Sequence, residues 1–404
     1  MQPSFAVAEP VPAVKRTRIE SIDLLRGLVI IIMALDHVRD YFNGSAYLFD
    51  PSDLSQTNVP LFFTRWITHF CAPIFSFLAG TSAFLSGLKK TKRQQSRFLL
   101  TRGLWLVILE IFVISFGWTF NSPSNIIILQ VIWALGISMI ALAALIYLPQ
   151  KAIIIIGFVL IAGHDLLDNV HVPGSGVASF SWGFLHERGY YTFMPFPIQD
   201  GYPVLPWIGI MALGYCIGSL YTADKDAAKR KKTLTQFGIA AILLFVVIRA
   251  VNIYGDNSPW QTQPSPIYTF LSFLNVSKYP PSLLYILVTL GPALLFLAYT
   301  EKPLNAITQK IAVFGRVPMF FYIIHIYIIH AFAMLAAVLT GFNWHDMIAY
   351  RWVTQNEKLK GYGFNLAVVY LIWAVLIIAL YPLCKKYDIY KRANQAKKWW
   401  LSYL

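Results

Sequence analysis

The stretch "RGLVIIIMALDHVRDYF", residues 26–42, carries Asp36, His37, Arg39 and Asp40 at the end of a run apolar enough to enter a bilayer. Ionisable groups at that depth are costly, so they are paired and usually retained for a function. Helical spacing sets Asp40 three and Tyr41 four residues beyond His37, on the same face. A carboxylate there can hold the imidazole in one tautomer and stabilise its cation. Asp36 faces Arg39 at the same spacing and disposes of two further charges. The expected chemistry is general base catalysis, with His37 as base and Asp40 as its orienting carboxylate.

The elements that must position these groups are transmembrane. Of 404 residues, 57% are hydrophobic and 13% charged, with a mean hydropathy of +0.57, a composition far from that of soluble domains. A span needs about 20 apolar residues. Ten segments qualify, at about 23–42, 63–88, 98–117, 125–147, 151–166, 203–221, 234–254, 283–300, 311–339 and 364–384. The expected fold is an all-α polytopic transmembrane helix bundle of about ten spans. Residues 1–22 form an N-terminal cytoplasmic tail, 23–384 the transmembrane domain, and 385–404 a basic cytoplasmic tail.

The net charge of +14 follows the membrane rather than nucleic acid. Alternate connections, from "KRTR" through "KKTKRQQSR" and "DKDAAKRKK" to the C-terminal tail, hold 22 of the 33 Lys and Arg, against five on the other side. Basic residues stay cytoplasmic, so both termini are expected there. The long connection 167–202, with His171, His186 and Arg188, is expected to have structure of its own, and 255–282 to include an interfacial helix. Cys71, Cys216 and Cys384 are too scattered for a disulfide framework or a zinc site, and no metal is expected.

At 1.5 Å per residue, His37, Glu110 and His325 each lie about 18–21 Å from the cytoplasmic face, with Gln130 in the same outer zone. Residues so aligned can line a polar pocket, Asp36 and His69 with them; the structural alternative is interhelical hydrogen bonding, given even weight for Glu110 and Gln130. His325 and His330 are five apart, on different helix faces, which argues against a shared metal. His330 and His69 also fit a satisfied polar residue at the membrane boundary, and His164 and Asp165 an interfacial position. Arg26, Arg102 and Arg316 gather at the cytoplasmic span ends; they either anchor by snorkelling or hold phosphates in a guanidinium fork.

The block "RIESIDLLRGLVIIIMALDHVRDYF", the following "FFTRWITHFCAPIFSFLAGTSAFL", and the later "IIILQVIWALGIS", "LPWIGIMALGYCIGSLY" and "FGRVPMFFYIIHIYIIH" together resemble the heparan-alpha-glucosaminide N-acetyltransferase-like family of membrane acyltransferases. Val131 stands where the family's eukaryotic members continue the Leu-Gln motif with Arg. His37 stands where they place Asn, and "NGSAYLFDPSD" has no His where theirs is catalytic. The resemblance implies transfer of an acetyl or acyl group from cytoplasmic acyl-CoA, as co-substrate, to a hydroxyl or amine of a glycan or small-molecule acceptor on the far side. On that reading the arginines hold the nucleotide end of acyl-CoA, and His37 acts either as base or as an acylated intermediate. A bacterial member in the cytoplasmic membrane is expected, its partners being lipid, acyl-CoA and the acceptor; nucleic acid is excluded and a homo-oligomer left open. The rival classes are a proton-coupled transporter using His37, Glu110 and His325, and a non-catalytic membrane scaffold.

The charge split gives a topology test. A reporter fused after residue 95 or 230 is expected to read cytoplasmic, and one inserted near 180 or 350 external. An external reading at 230 overturns the orientation.

Overall fold

The computed structural model describes residues 19–395 and 397–402; the expected N-terminal tail lies, up to residue 18, outside the described residues. Helix α1 (Glu20–Phe42) is the pillar of the bundle. Acidic Glu20 and Asp23 in its first turn and Arg39 in its last complement the helix dipole. Its buried residues, from Ile22 through Val29 and Val38 to Phe42, face several neighbours at once, so helices close round the one that carries the charges.

Around it stand α2 (Val59–Ile67) and α3 (Cys71–Gly87), joined by a tight turn at Thr68–Phe70, with Asn58 capping α2 through the Leu61 N–H at 3.0 Å. Helix α4 (Lys92–Leu109), opened by a Thr91–Gln94 capping box, passes through a π-helical turn at Glu110–Ile114 into α5 (Ser115–Thr119). Then follow α6 (Val131–Leu145), α7 (Gln150–Gly163), α8 (Val177–Leu185), α9 (Leu205–Ile217), α10 (Ala227–Val251), α11 (Pro266–Leu274), α12 (Leu283–Tyr299), α13 (Ala306–Arg316), α14 (Pro318–Leu339) and α15 (Leu366–Asn394). Among the described residues, six helical stretches are long and apolar enough to cross a bilayer, while α6, α12 and the stretch Leu205–Tyr221 are apolar but shorter.

The architecture is helical, with departures from the expected spans. The fourth expected span, from residue 125, opens not as helix but as strand β1 (Ile127–Leu129), with α6 starting only at Val131. A β-branched run behind the turn-forming "NSPSN" favours that outcome. Strand β1 pairs in parallel with β3 (Ile198–Asp200), which pairs antiparallel with β2 (Gly189–Tyr191). The small sheet and α8 are the structure of the 167–202 connection, and α11 that of 255–282. The expected ninth span, 311–339, breaks at Val317 because Pro318 has no N–H to continue the α13 ladder and instead opens α14. Helix α15 runs past the expected end at 384 to Asn394.

Close helix approach rests on glycine. The pairs α1–α13, α3–α9, α4–α6, α7–α9 and α10–α12 each cross where both helices carry one: Gly27 with Gly315, Gly80 with Gly214, Gly103 with Gly136, Gly157 with Gly209, Gly238 with Gly291. Lipid tails are as apolar as leucine, so such helices hold together through backbone proximity and packing rather than a hydrophobic drive. A Cβ on Gly27 would lie 2.1 Å from the Ile311 carbonyl oxygen, and one on Gly315 1.9 Å from that of Asp23. Gly315→Val is therefore expected to part α13 from α1 and cost about 1–3 kcal/mol, as overpacking does. A lowered thermal unfolding midpoint in detergent checks this; an unchanged one contradicts the tight crossing.

Candidate active site

Two cavities meet inside the bundle. The first, of about 330 Å³, lies beside the N-terminal half of α1 and is lined by Arg26, Arg102, Arg316 and Lys391, with Ile30, Met33, Leu106 and Met139 deeper in. The second, of about 600 Å³, lies at the C-terminal end of α1 and is lined by Asp36, His37, Arg39, Asp40, Gln130 and residues of the loop layer. Val131 and Tyr322 line both the arginine cavity and the histidine cavity.

The three arginines expected at one end of the bundle do converge, from α1, α4 and α13. Arg26 donates to Asp23 at 3.3 Å, the Gly315 carbonyl at 3.1 Å and Ser82 Oγ at 2.9 Å. Arg316 bonds Asp388 at 3.4 Å and lies 3.9 Å from Asp23. Asp23 thus holds two guanidinium groups at one wall of the cavity, and Arg102 stands beside the Phe98 ring. Guanidinium groups set by carboxylates in this way are pre-oriented for phosphate oxygens.

His37 is held differently from the expected pairing with Asp40. Its Nδ1 lies 2.7 Å from Nε2 of His325, and the two rings stack at 4.9 Å. The Asp40 carboxylate is taken by Arg39 at 2.6 Å. Arg39 also holds Asp36, at 2.8 Å as the spacing predicts, and Asp36 further gathers Arg65 at 3.1 Å, Thr68 Oγ1 at 2.9 Å and Lys278 at 3.8 Å. The pull of this network on Asp40, through its immediate neighbour Arg39, is the physical reason it does not serve His37.

The tautomers follow from the donors available. His325 Nδ1 is 2.9 Å from the Phe321 carbonyl oxygen, an atom that can only accept, so this nitrogen carries the hydrogen. In the neutral ring Nε2 then accepts, and His37 Nδ1–H must donate to it. The hydrogen-bond chain leaves a bare lone pair on His37 Nε2, with His37 lining the cavity. That is the state in which an imidazole can take a proton.

The remaining expected residues divide. Gln130 lines the histidine cavity. Glu110 lines neither cavity: its carboxylate accepts the Gln130 N–H at 3.2 Å and the Trp133 N–H at 2.9 Å, capping the start of α6. The interhelical alternative weighed for Glu110 is the one realised. His325 stands behind His37 rather than on the cavity wall. His69 is buried against Tyr285, whose hydroxyl donates to the His69 carbonyl at 2.7 Å, and lines neither cavity.

Sequence reasoning passed over Arg65, Lys278, Tyr322, Trp118 and Asp200. Arg65 carries a signal, a lone cation in "RWITHF" inside an otherwise apolar span, which demands a buried carboxylate. Trp118 packs edge-on to His37 at 4.6 Å and Tyr322 at 5.9 Å, walling the imidazole with rings that no spacing rule links to it.

A family model described as heparan-alpha-glucosaminide N-acetyltransferase, catalytic, matches residues 18–255. The chain belongs to this family. It is therefore a member of a family of membrane acetyltransferases. No curated protein matches the chain. The match to the acetyltransferase family runs from the start of α1 beyond α10 and so includes His37, Arg26 and Arg102, while His325, Tyr322 and Arg316 lie outside it.

Asp200, at the end of β3, gives the stability of the fold a pH dependence. It is 1% exposed, with one oxygen accepting the Tyr202 N–H at 3.0 Å and the other without a partner. Burial pushes its pKa up to about 7, against the opposing Tyr202 bond. Between the ordinary carboxylate range and about 7, the unfolded chain gives up this proton while the folded one keeps it, so Asp200 lowers stability as pH rises through that window. Asp200→Asn is expected to raise the unfolding midpoint at about pH 8, with the gain vanishing toward about pH 4. Parallel midpoint curves for the two proteins would show that burial does not hold this proton.

Proposed function

We propose that this family member moves an acetyl or other acyl group from acyl-CoA, held with its phosphates in the arginine cavity, to a hydroxyl or amine in the histidine cavity. The observation that carries the reading is the junction: two cavities of different chemistry abut at Tyr322 and Val131, and His37 lies there with its tautomer set by His325. A thioester arm entering from the arginine side along Ile30, Met33 and Leu106 would reach an acceptor without a charged carrier crossing lipid.

In the proposed step His37 Nε2 takes the proton from the acceptor O–H or N–H as its heteroatom attacks the thioester carbonyl. The carbonyl oxygen gains the charge, the C–S bond breaks, and the CoA thiolate leaves and collects the proton from His37. Arg39, Arg65 and Lys278 outnumber Asp36 and Asp40 in the network beside the imidazole, which favours the negative charge that develops on the oxygen. Asp40, whose carboxylate is neutralised by Arg39, serves this field rather than the base itself.

The positive-inside distribution supports an arginine cavity facing the cytoplasm, where acyl-CoA is available, and a histidine cavity facing outward. The rings of Tyr47, Tyr190, Tyr202 and Trp352 around the histidine cavity suit the apolar faces of a sugar, and their polar neighbours its hydroxyls. A glycan acceptor at the outer face of a bacterial cytoplasmic membrane fits that lining.

His37→Ala in folded, purified protein is expected to cut turnover by about 10²–10⁴ with acyl-CoA binding nearly unchanged, because a general base acts in the transition state. Arg26→Ala is expected to weaken acyl-CoA binding by about tenfold. Steady-state transfer and direct titration of acyl-CoA separate the two effects. Near wild-type turnover of His37→Ala would remove His37 as the base.

A further inference from the structure

A second cluster, unused by the proposed transfer, sits where α7 ends. His164 opens the turn His164–Leu167, Asp168 follows it, and His186 caps the C-terminus of α8. One ring nitrogen of each histidine and a carboxylate oxygen of Asp168 all lie within 4.8 Å of one another. Both rings are buried, at 2% and 1% exposure, although they belong to a connection that the sequence marks only as an interfacial histidine and a structured loop.

The hydrogen bonding leaves lone pairs with nothing to receive them. His164 Nε2 donates to the Pro281 carbonyl at 3.0 Å, so the neutral ring bears its lone pair on Nδ1, and Nδ1 has no partner. His186 Nε2 lies 3.1 Å from Asp168 Oδ1, and its Nδ1 is likewise without a partner. Asp165 Oδ2 accepts the Leu283 N–H at 3.1 Å, while its Oδ1, 3.2 Å from His164 Nε2, makes no hydrogen bond. Buried polar atoms are nearly always paired, so a bare imidazole nitrogen on His164, at 2% exposure and beside a second imidazole and a carboxylate, calls for an occupant. A cation shared with Asp168 and His186 supplies one.

We infer that His164, Asp168 and His186 form a site for a divalent transition metal of the zinc class. Imidazole nitrogens with carboxylate oxygen are the donor set such an ion takes, in tetrahedral geometry. The His164 Nε2–H on the Pro281 carbonyl is the outer support that a metal-ligating histidine ordinarily has. The site departs from the metal-free reading of the sequence because His164 and Asp168, four residues apart, meet His186 only through the fold.

Its place suggests what the ion does. His186 is two residues from Arg188, and Arg188 and Tyr190 line the histidine cavity, as do Lys278 and Tyr279 just before Pro281. A metal joining the end of α7 to the end of α8, with Pro281 on its outer support, pins the wall of that cavity from behind. It is a structural clamp and takes no part in proton transfer.

The test uses the full chain in detergent, stripped with chelator, reloaded with Zn²⁺, dialysed against metal-free buffer and assayed by elemental mass spectrometry. About one Zn²⁺ per chain is expected to remain. Co²⁺ in its place is expected to give the intense visible bands of a four-coordinate N/O site. His186→Gln and Asp168→Asn are expected to weaken retention at least ~10-fold, whereas His171→Gln, which alters an exposed histidine paired with Glu187, keeps it. Should the cluster variants fail to fold, the Co²⁺ spectrum of the unaltered chain decides alone. Wild-type protein that retains no ion and shows no such spectrum overturns the inference, as does equal loss in His171→Gln and His186→Gln.

Discussion

The arrangement of the bundle depends on burying α1 with its charges satisfied. Asp23, Arg26, Asp36, Arg39 and Asp40 would each be too costly against lipid, and removing one partner of a buried pair costs several kcal/mol. Other helices therefore enclose α1, and each brings counter-charge: Arg65 from α2, Arg316 from α13, Lys278 from the segment before α12. The glycine crossing of α1 with α13 belongs to the same constraint. Without backbone contact at Gly27 and Gly315, Arg26 could not reach the Gly315 carbonyl, nor Arg316 approach Asp23.

The same enclosure creates the site. Charges need polar surroundings, so the packing cannot close completely round α1, and cavities remain at both of its ends. The basic residues at one end and the mixed charges and rings at the other make these two environments rather than one channel of uniform character. His37 lines the second of them, and the partner that sets its tautomer is another imidazole, His325, instead of a carboxylate.

How much of this is legible in sequence varies with the range of the interaction. Local periodicity marks the helices, and the Asp36–Arg39 pair follows from one turn of α1. The alignment of His37 with His325 by depth is legible too, though depth alone does not say that the rings touch. Three features are not. The preference of Asp40 for Arg39 is decided by a network that includes Arg65 and Lys278 from distant segments. Glu110 looks like a pocket residue until the strand at Ile127–Leu129 delivers the start of α6 to its carboxylate. The glycine crossings depend on which helices become neighbours, which no single-chain pattern here specifies. Pro318, by contrast, is a local break signal that the continuous apolar run around it masks in the sequence but not in the fold.

The family match and the site do not share boundaries, and this has a physical consequence. Residues 18–255 carry His37 and two of the cavity arginines, yet the tautomer of His37 is fixed by α14. Helix α14 can supply His325 and Tyr322 only because the Pro318 break frees it from the direction of α13, which is tied to α1 at Gly315. The α13 part of the expected ninth span therefore brings Arg316 to the first cavity, and the α14 part sets the tautomer of His37. The break lets the arginine wall and the histidine pair be positioned by separate helices, joined covalently at Val317, with Tyr322 lining both cavities.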